Sequence, residues 1–225
     1  AIDHRRAVPL PDAASFNDGA CLGIPALTAH RCVFADGSVA GQTILVTGGA
    51  GAVANYAIQL ATLGGARVIS TVSGPEKARI ATAAGAGDVI NYREEPVVER
   101  VLELTDGRGV DRVVEVEFGG NLTDALGATK IDGVIATYAS QAEPEPQIPF
   151  YQLLYRNLTV RFELVFMMPE KSKAAAVSDI TKWLAGGRLQ HNVAEVFPLE
   201  QAVGAHQAVE AGPVGKVILN VGPRA

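Results

Sequence analysis

The sequence predicts an α/β protein built on a doubly wound, parallel Rossmann sheet of six strands. Short runs rich in β-branched residues, each too short for a helix, alternate with segments whose apolar residues recur at helical spacing. Glycines mark many of the junctions between them. This alternation is typical of parallel strands that lie side by side with helices covering both faces of the sheet.

The first strand, the turn that follows it and the next helix organise the prediction. Residues 43–46 form a short apolar strand, glycines follow, and apolar residues resume at helical spacing up to Leu63. The pattern Gly49-x-Gly51-x-x-Ala54 matches the dinucleotide-binding fingerprint in its alanine-tolerating form. In that fingerprint the glycines make the turn and let backbone amides approach a pyrophosphate at the helix N-terminus. A plain strand–helix turn is the alternative interpretation.

The other elements follow in order. Residues 13–34 predict two helical pieces joined by a bend, because Gly19, Gly23 and Pro25 interrupt the helical spacing. Strands are predicted over 67–72, 88–91, 111–116, 133–138 and 157–162, and helices over 75–84, 94–104, 122–129 and 170–185. The proline-rich segment 141–150 predicts an irregular loop on the ligand side of the sheet. The last forty or so residues predict strands over 191–197 and 216–221 around a small helix over 199–211.

Composition and charge exclude several classes of protein. The chain has 225 residues, 48% of them hydrophobic and 19% charged, which is typical of a globular protein. A net charge of -5 gives no reason to expect nucleic acid or an anionic membrane as a partner. No apolar run approaches the ~18 residues of a membrane span, and the N-terminus lacks the apolar core of a signal peptide, so a cytoplasmic location is expected. Cys21 and Cys32 form no CxxC motif, so neither a zinc ribbon nor a disulfide framework is predicted.

Six segments carry a more specific signal. They are VPLPD (8–12), GIPALTAH (23–30), the glycine turn, NYREE (91–95), DGRGVDRVVE (106–115) and GKVIL (215–219). Together they resemble the zinc-independent quinone oxidoreductase branch of the medium-chain dehydrogenase/reductase superfamily, over nearly all of the chain. The resemblance implies that residues 13–186 form the NAD(P)-binding domain. It also implies that residues 1–12 and 187–225 are remnants of a GroES-like catalytic domain, and that the final strands lack their sheet partners.

The resemblance also bears on zinc. In the zinc alcohol dehydrogenases of this superfamily, the segment equivalent to 23–30 carries a zinc-binding cysteine directly after its glycine. Ile24 stands in that place here and cannot bind a metal. Cys21 lies three residues earlier, on a different side of any helix or turn, so no metal site is expected.

The choice of cofactor depends on the end of the second strand. NAD-binding Rossmann domains usually place an acidic residue there, about 20 residues after the glycine turn, to bind the ribose 2′-hydroxyl. Residues 71–73 reach that position and none of them is acidic. The resemblance implies that Ser73, Lys77 and Tyr92 hold the 2′-phosphate of NADPH. The alternative interpretation is that Lys77 is a solvated helix residue and Tyr92 a packing residue.

The resemblance implies further cofactor contacts around the turn and along the sheet edge. They are His30, Gly49, Ala50, Gly51, Ala52, Val53, Gly119, Tyr138, Ala139 and Ser140. The last three follow the fifth strand and should lie beside the nicotinamide, since ligands bind beyond the carboxyl ends of parallel strands. Relatives have glycine where Ala52, Ala54 and Ala139 stand, and the extra methyl groups are positioned to weaken binding. Ordinary surface or packing roles are assigned to His4, His191 and His206.

The resemblance implies an NADPH-dependent reductase that delivers hydride to a quinone or another activated alkene. Two alternatives stay open: an enoyl-thioester reductase of fatty-acid or polyketide metabolism, and a nucleotide-binding module without catalysis. No catalytic acid or nucleophile is identified in the sequence. Relatives hold the acceptor in a cleft between two domains, so these 225 residues alone are expected to bind NADPH without reducing quinones.

The resemblance and the strand pattern also predict a partner. The apolar segment 158–166 is expected to be a long strand at the edge of the sheet. An exposed edge of that kind pairs readily with another chain, and relatives join such edges into one continuous sheet. A homodimer through residues 158–166 is therefore expected.

Overall fold

The structure is a computed structural model that describes residues 6–222, and a six-stranded sheet is its largest element. The strands are β1 (Thr43–Val46), β2 (Arg67–Val72), β3 (Asp88–Asn91), β4 (Val110–Glu115), β5 (Thr129–Thr137) and β6 (Thr159–Phe162). Their order in the sheet is β3-β2-β1-β4-β5-β6, and every neighbouring pair is parallel. The predicted parallel, doubly wound sheet is confirmed.

Eight α-helices accompany the strands in the described part of the chain. They are α1 (Phe16–Phe34), α2 (Ala52–Leu63), α3 (Pro75–Ala83), α4 (Val97–Leu104), α5 (Leu122–Ala128), α6 (Phe150–Tyr155), α7 (Glu170–Ala185) and α8 (Ala202–Glu210). Gly23 interrupts α1 with a non-helical backbone (φ 17°, ψ -122°), and Pro25 follows within the same helix. The predicted bend is therefore confirmed, since proline cannot donate the hydrogen bond that a continuous helix needs there.

Helices cover both faces of the sheet, and the strands are therefore buried on both sides. Successive residues of a strand point to opposite faces. Leu45 and Ile69 lie in a buried cluster with Val101 of α4 and Leu122 of α5. The alternate residues of β1, such as Ile44, are equally buried on the other face, against which α2 and α3 pack. Burial of each such side chain stabilises the fold by about 1.5–3 kcal/mol, which holds the carboxyl ends of the strands in fixed positions.

Several element boundaries differ from the prediction, and one helix was not predicted. Helix α4 begins at Val97 rather than at residue 94, because residues 91–95 form a turn in which the Glu94 N–H donates to the Asn91 carbonyl at 2.9 Å. Strand β5 begins at Thr129 rather than at residue 133, beside an irregularity in its pairing with β4. Helix α6 was not predicted, since its six residues directly follow a proline-rich loop.

The edge strand β6 is shorter than predicted. It lies at the edge of the sheet as expected, but it covers four residues, and Val165–Met167 form a short 3-10 helix. The N–H of Glu163 still donates to the Thr137 carbonyl at 2.8 Å, whereas the Met167 N–H turns back to the Leu164 carbonyl at 2.9 Å. The apolar run up to residue 166 was therefore wrongly predicted as one strand, because its second half closes local hydrogen bonds instead.

The last strands form a separate small sheet. Strands β7 (Val193–Pro198) and β8 (Lys216–Asn220) pair in parallel with each other. A parallel pair needs a crossover connection, and a 3-10 turn at Leu199–Gln201 followed by α8 supplies it. Within residues 6–222 these two strands pair with each other, and the expectation that they lack the other strands of their sheet stays a prediction.

The chain divides into two compact units. One is residues 28–168, which contain the six-stranded sheet, and the other combines residues 1–27 with 169–225, so far as these are described. The predicted domain boundaries after residues 12 and 186 follow the family resemblance and stay predictions. His4 and the rest of residues 1–5, together with residues 223–225, lie outside the described residues. Within residues 6–222, no helix has both the length and the apolar character needed to cross a membrane.

Candidate functional site

The turn between β1 and α2 requires glycine at two positions for different reasons. Gly48 adopts φ +66°, in the left-handed region that side chains disfavour. At Gly49, a Cβ atom would lie 2.1 Å from Ser70 Oγ and 3.1 Å from the Ala81 Cβ. The Gly49 N–H donates to the Thr71 carbonyl at 2.9 Å. The turn is thereby held directly against β2.

The N-terminus of α2 is accessible from solvent. Gly51 is its N-cap residue, and no side chain within residues 6–222 caps it. Gly51 and Ala52 are exposed, Val53 is half-buried and Ala50 is buried. The first helical hydrogen bond runs from the Asn55 N–H to the Gly51 carbonyl at 2.8 Å. The backbone N–H groups of the first turn therefore have no carbonyl acceptor within the helix. A helix end of this kind attracts anions.

The residues predicted to hold a 2′-phosphate meet at the carboxyl ends of β2 and β3. Lys77 Nζ donates to Ser73 Oγ at 3.0 Å on the exposed surface. The Tyr92 N–H donates to the carbonyl of Val72, the residue before Ser73, at 3.1 Å. The Tyr92 side chain is 51% exposed. The structure thus brings all three residues to one corner of the sheet, where the side chains of Lys77 and Ser73 contact each other.

A cavity of about 410 Å³ adjoins this corner and the glycine turn. Gly48, Thr71 and Tyr92 line one part of it. The rest includes five acidic residues, Glu95, Glu99, Glu115, Glu117 and Asp124. No lysine, arginine or histidine is among its described lining residues. This acidic cavity therefore suits a neutral group with hydrogen-bond donors better than a phosphate.

Glu115 is the most buried acid of that cavity, with none of its surface exposed. Its Oε1 accepts hydrogen bonds from the Thr47 hydroxyl (2.9 Å), the Glu117 N–H (2.6 Å) and the Asn121 side-chain amide (2.8 Å). Its Oε2 is buried and has no hydrogen-bond partner within residues 6–222. Burial raises the pKa of the Glu115 carboxyl, although these hydrogen bonds act in the opposite direction.

Two loops beyond the ends of β4 and β5 are joined by hydrogen bonds. They cover residues 117–121 and 138–143 and are called the paired loops below. The Phe118 N–H donates to the Ala139 carbonyl at 2.9 Å, and the Gly119 N–H donates to Ser140 Oγ at 2.9 Å. The Ser140 hydroxyl donates in turn to the Glu143 carbonyl at 2.5 Å. Gly119 and Ser140, two predicted cofactor residues, thus contact each other.

A second cavity, of about 480 Å³, lies beyond the ends of β5 and β6. Tyr138, Ala139 and Ser140 line it together with Phe118 and Phe162. The rings of Phe118 and Phe162 pack edge to face, with centroids 5.4 Å apart. Burial raises the pKa of the Tyr138 hydroxyl, so this group stays protonated at neutral pH. This aromatic cavity is the apolar counterpart of the acidic cavity.

The predicted contact His30 is buried on helix α1. His30 is 6% exposed on α1, its ring centroid lies 4.8 Å from that of Phe34, and it lines neither cavity. Its cofactor role stays a prediction.

Ile24, Cys21 and Cys32 are the residues that bear on a metal site. Ile24 is 52% exposed, whereas Cys21 and Cys32 are buried. Burial raises the pKa of the Cys32 thiol to about 12, so this thiol is unreactive. Within residues 6–222, no three His, Cys, Asp or Glu side chains form a group that could hold a metal ion.

Sequence reasoning missed several residues that line or shape these cavities. Thr47, Glu115, Glu117 and Asn121 form a hydrogen-bonded group at the ends of β1 and β4. The available signal was position, because Thr47, Glu115 and Glu117 lie at or next to the end of a predicted parallel strand, where ligands bind. The sequence around each residue does not predict the contact, because Thr47 and Glu115 are 68 residues apart in the chain.

Comparison with known proteins gives consistent matches. A family model described as zinc-binding dehydrogenase matches residues 52–182. A quinone oxidoreductase from Pongo abelii is 27% identical over 222 residues, which are 97% of this chain and 67% of that protein.

Two solved structures share the fold over most of the chain. One is an Escherichia coli quinone oxidoreductase complexed with NADPH, with a TM-score of 0.84 and 27% identity over 96% of this chain and 68% of that one. The other is an NAD-dependent alcohol dehydrogenase, with a TM-score of 0.82 and 33% identity over 96% of this chain and 62% of that one. The chain thus spans about two thirds of the length of these relatives.

Proposed function

Because the chain belongs to the zinc-binding dehydrogenase family, in the quinone oxidoreductase branch of the medium-chain dehydrogenase/reductases, we propose that it acts as an NADPH-dependent oxidoreductase. The proposed reaction is hydride transfer to a quinone or another activated alkene. The observation that carries the proposal is the Ser73–Lys77 pair at the end of β2, beside a glycine turn with an open helix N-terminus. The activity is proposed for the whole protein, because the chain spans about two thirds of its relatives.

The described residues fit a dinucleotide. The amides at the start of α2 would face the pyrophosphate, and Lys77 with Ser73 would bind the 2′-phosphate. The neutral adenine would occupy the acidic cavity, and the segment 138–140 would contact the nicotinamide. The bound nicotinamide supplies the hydride chemistry, whereas the protein binds, orients and keeps water away. The roles of the individual residues follow from this placement and are part of the proposal.

The aromatic cavity favours a quinone over the enoyl thioester of the alternative function. Its lining includes Phe118, Tyr138 and Phe162, and no described lysine, arginine or histidine contributes to it. Planar apolar rings pack well against aromatic side chains, whereas a coenzyme A thioester carries phosphates that need cationic partners. Turnover of the whole protein with quinones and with crotonyl-type thioesters compares the two directly. Faster saturable turnover of the thioester would overturn this preference.

Zinc independence is part of the proposal. It is supported by Ile24, which stands where the zinc alcohol dehydrogenases of this superfamily carry a metal-binding cysteine and which offers no ligand atom. Neighbouring Cys21 is buried, and burial raises the pKa of its thiol. Full activity of the whole protein after extensive chelation, with no zinc by elemental analysis, is the expected result. Loss of activity that returns with added zinc would contradict it.

The choice of NADPH over NADH is tested at Lys77. A charge-assisted contact to phosphate typically contributes about 1.5–3 kcal/mol, so Lys77→Ala should weaken NADPH binding about tenfold or more and leave NADH binding nearly unchanged. Titration calorimetry measures both dissociation constants. Arg79→Ala is the matched control, because it removes the same charge from the same helix two residues further on, where side chains face another direction. Equal affinity of the unsubstituted chain for both nucleotides would overturn the preference for NADPH.

A homodimer through the β6 edge is also proposed. The support is the edge position of β6 and the exposed apolar side chains at its end, with Phe162 71%, Leu164 58% and Phe166 68% exposed. An unpaired edge beside such side chains favours pairing with a second copy. Light scattering at micromolar concentration should give twice the chain mass, and a monomer mass would contradict the proposal.

The cytoplasm is the proposed location of the protein. Two buried cysteines without a disulfide fit this location, because disulfides are rare in the cytosol.

A further inference from the structure

Glu117 places an ionised carboxylate among the backbone amides of the paired loops. Its Oε2 accepts a hydrogen bond from the Gln141 N–H at 2.8 Å. Partial burial acts to raise the pKa of this carboxyl, but the amides of Ala142, Gln141, Gly120 and Glu143 together lower it below its usual value. The side chain is therefore charged at neutral pH and is bound through Oε2 to the opposite loop, whereas its buried Oε1 has no hydrogen-bond partner within residues 6–222.

The position of Glu117 is as informative as its contacts. The side chain lines the acidic cavity, beside Thr71 and Tyr92. The next residue, Phe118, lines the aromatic cavity and donates its N–H to the Ala139 carbonyl at 2.9 Å. Glu117 thus stands at the boundary between the two cavities.

The remaining contacts of the paired loops leave little freedom around this carboxylate. At Gly119, a Cβ atom would lie 2.3 Å from the Glu143 carbonyl oxygen, so the two backbones are in close contact. Ser140 adds a hydrogen bond to each loop, through the Gly119 N–H and the Glu143 carbonyl. Glu117 contributes the only ionised side chain among these described contacts between the loops. Hydrogen bonds to a charged group are roughly twice as strong as neutral ones, so its removal should loosen the segment most.

We propose that Glu117 is a positioning residue that fixes the segment 138–140 in the conformation that receives the nicotinamide half of the cofactor. The inference rests on the proposed NADPH-dependent function and adds a residue to it. Glu117 acts through the backbone of residues 141–143, away from the reacting atoms. Its substitution should therefore affect the nicotinamide end of the ligand most, because at the adenosine end it removes one of the five acids of the cavity and leaves Ser73 and Lys77 in place.

The test compares two ligands on the full 225-residue chain. NADPH reaches both cavities, whereas 2′,5′-ADP carries the adenosine and its 2′-phosphate but no nicotinamide. Glu117→Ala should weaken NADPH binding about tenfold and change 2′,5′-ADP binding less than about twofold. The nicotinamide fluorescence of bound NADPH should also shift towards that of free NADPH, which a purely structural role would not cause.

Two further variants complete the design. Glu117→Gln keeps the size of the side chain but replaces one acceptor oxygen with a donor, so an effect intermediate between wild type and Glu117→Ala is expected. It also supplies a milder variant if Glu117→Ala does not fold. Glu145→Gln is the matched control, because it removes the same charge from an exposed position in the same loop and should leave both affinities unchanged.

The outcomes distinguish the positioning role of Glu117 from the proposed NADPH-dependent function. An equal loss of affinity for NADPH and 2′,5′-ADP, or no loss for either, would overturn the positioning role while the proposed function stands. Failure of the unsubstituted chain to bind either ligand would overturn the proposed function and the role of Glu117 with it. A loss confined to NADPH, with a fluorescence shift and an unaffected Glu145→Gln variant, supports the proposal.

Discussion

The glycine turn and the paired loops lie at the same edge of the sheet, but they are held in place by opposite means. The turn depends on side chains that are absent, since Gly49 leaves no room for a Cβ atom against Ser70. The paired loops depend on side chains that are present, since Glu117 and Ser140 bond to main-chain atoms of the opposite loop. The first arrangement is steric, whereas the second is electrostatic.

This difference predicts how each region responds to change. A steric fit against a buried sheet tolerates no added atom, because a packed interior cannot expand without strain. Hydrogen bonds at a partly exposed loop can be lost one at a time, and each net contribution is about 1 kcal/mol. The turn should therefore fail abruptly and the paired loops gradually.

The largest effect is expected at Gly49. Gly49→Ala places a Cβ atom 2.1 Å from Ser70 Oγ and 3.0 Å from Ile58 Cδ1, so the turn or β2 must move. Overpacking of this kind typically costs about 1–3 kcal/mol, and nucleotide binding should be lost with it. The matched variant is Gly51→Ala, where the nearest atom is the Gly48 carbonyl oxygen at 3.1 Å and the backbone conformation suits any residue.

Chemical unfolding and calorimetric binding separate the two glycines. Gly51→Ala should change the free energy of unfolding by less than about 1 kcal/mol and still weaken nucleotide binding, because this glycine faces the pyrophosphate in the proposed site. Equal stability of the two variants would show that the turn is not held by packing against β2.

An intermediate, pH-dependent effect is expected at Glu115, which bonds to both regions. Its folded pKa is raised above the usual 4.5, so its contribution to stability is complete below that pH and is lost as the pH rises through the folded value. Each unit by which the folded pKa exceeds the unfolded pKa corresponds to about 1.4 kcal/mol in the free energy of unfolding. Glu115→Gln cannot ionise, so the variant should gain stability relative to the wild type as the pH rises above about 4.5. Thermal unfolding across that range tests this, and parallel curves would contradict it.

The smallest effect is expected at Ser140. Ser140→Ala removes the hydrogen bonds to the Gly119 N–H and the Glu143 carbonyl, while the Phe118 and Glu117 contacts between the loops remain. A loss of about 1–2 kcal/mol in the free energy of unfolding is expected, because two hydrogen bonds at a partly exposed site are lost. Thr123→Ala, at an exposed position on α5, is the control and should have no measurable effect. A loss at Ser140 as large as that at Gly49 would remove the distinction between the two regions.

Local features were predicted well and contacts between distant residues were not. The six strands and the glycine turn follow from periodicity and from a motif that lies within one strand–helix unit. The convergence of Ser73 and Lys77 follows from one helical turn of spacing. The length of β6 does not follow from the sequence around it, because the side chain of Glu163, directly after the strand, pairs with Arg31 at 3.0 Å, 132 residues away.

The acids of the site were missed for the same reason. Glu115 resembles any strand-terminal acid until Thr47 and Asn121 are brought beside it. Glu117 gained its role only when residues 141–143 were placed next to it, 24 residues or more along the chain. Short α6 was missed because none of its residues is buried, so its sequence carries no amphipathic pattern.

The order of the strands has a kinetic consequence. Strand β1 contacts β2 through residues about 24 apart in the chain, whereas its contact with β4 joins Thr47 to Glu115 across 68 residues. Closing the longer connection costs more chain entropy, so the half containing β1, β2 and β3 is expected to form before it docks with β4, β5 and β6. The glycine turn lies at that junction, which is the topological switch point of the sheet. A nucleotide that binds across the junction would therefore hold together the contacts that form last, and it should slow unfolding by opposing their separation.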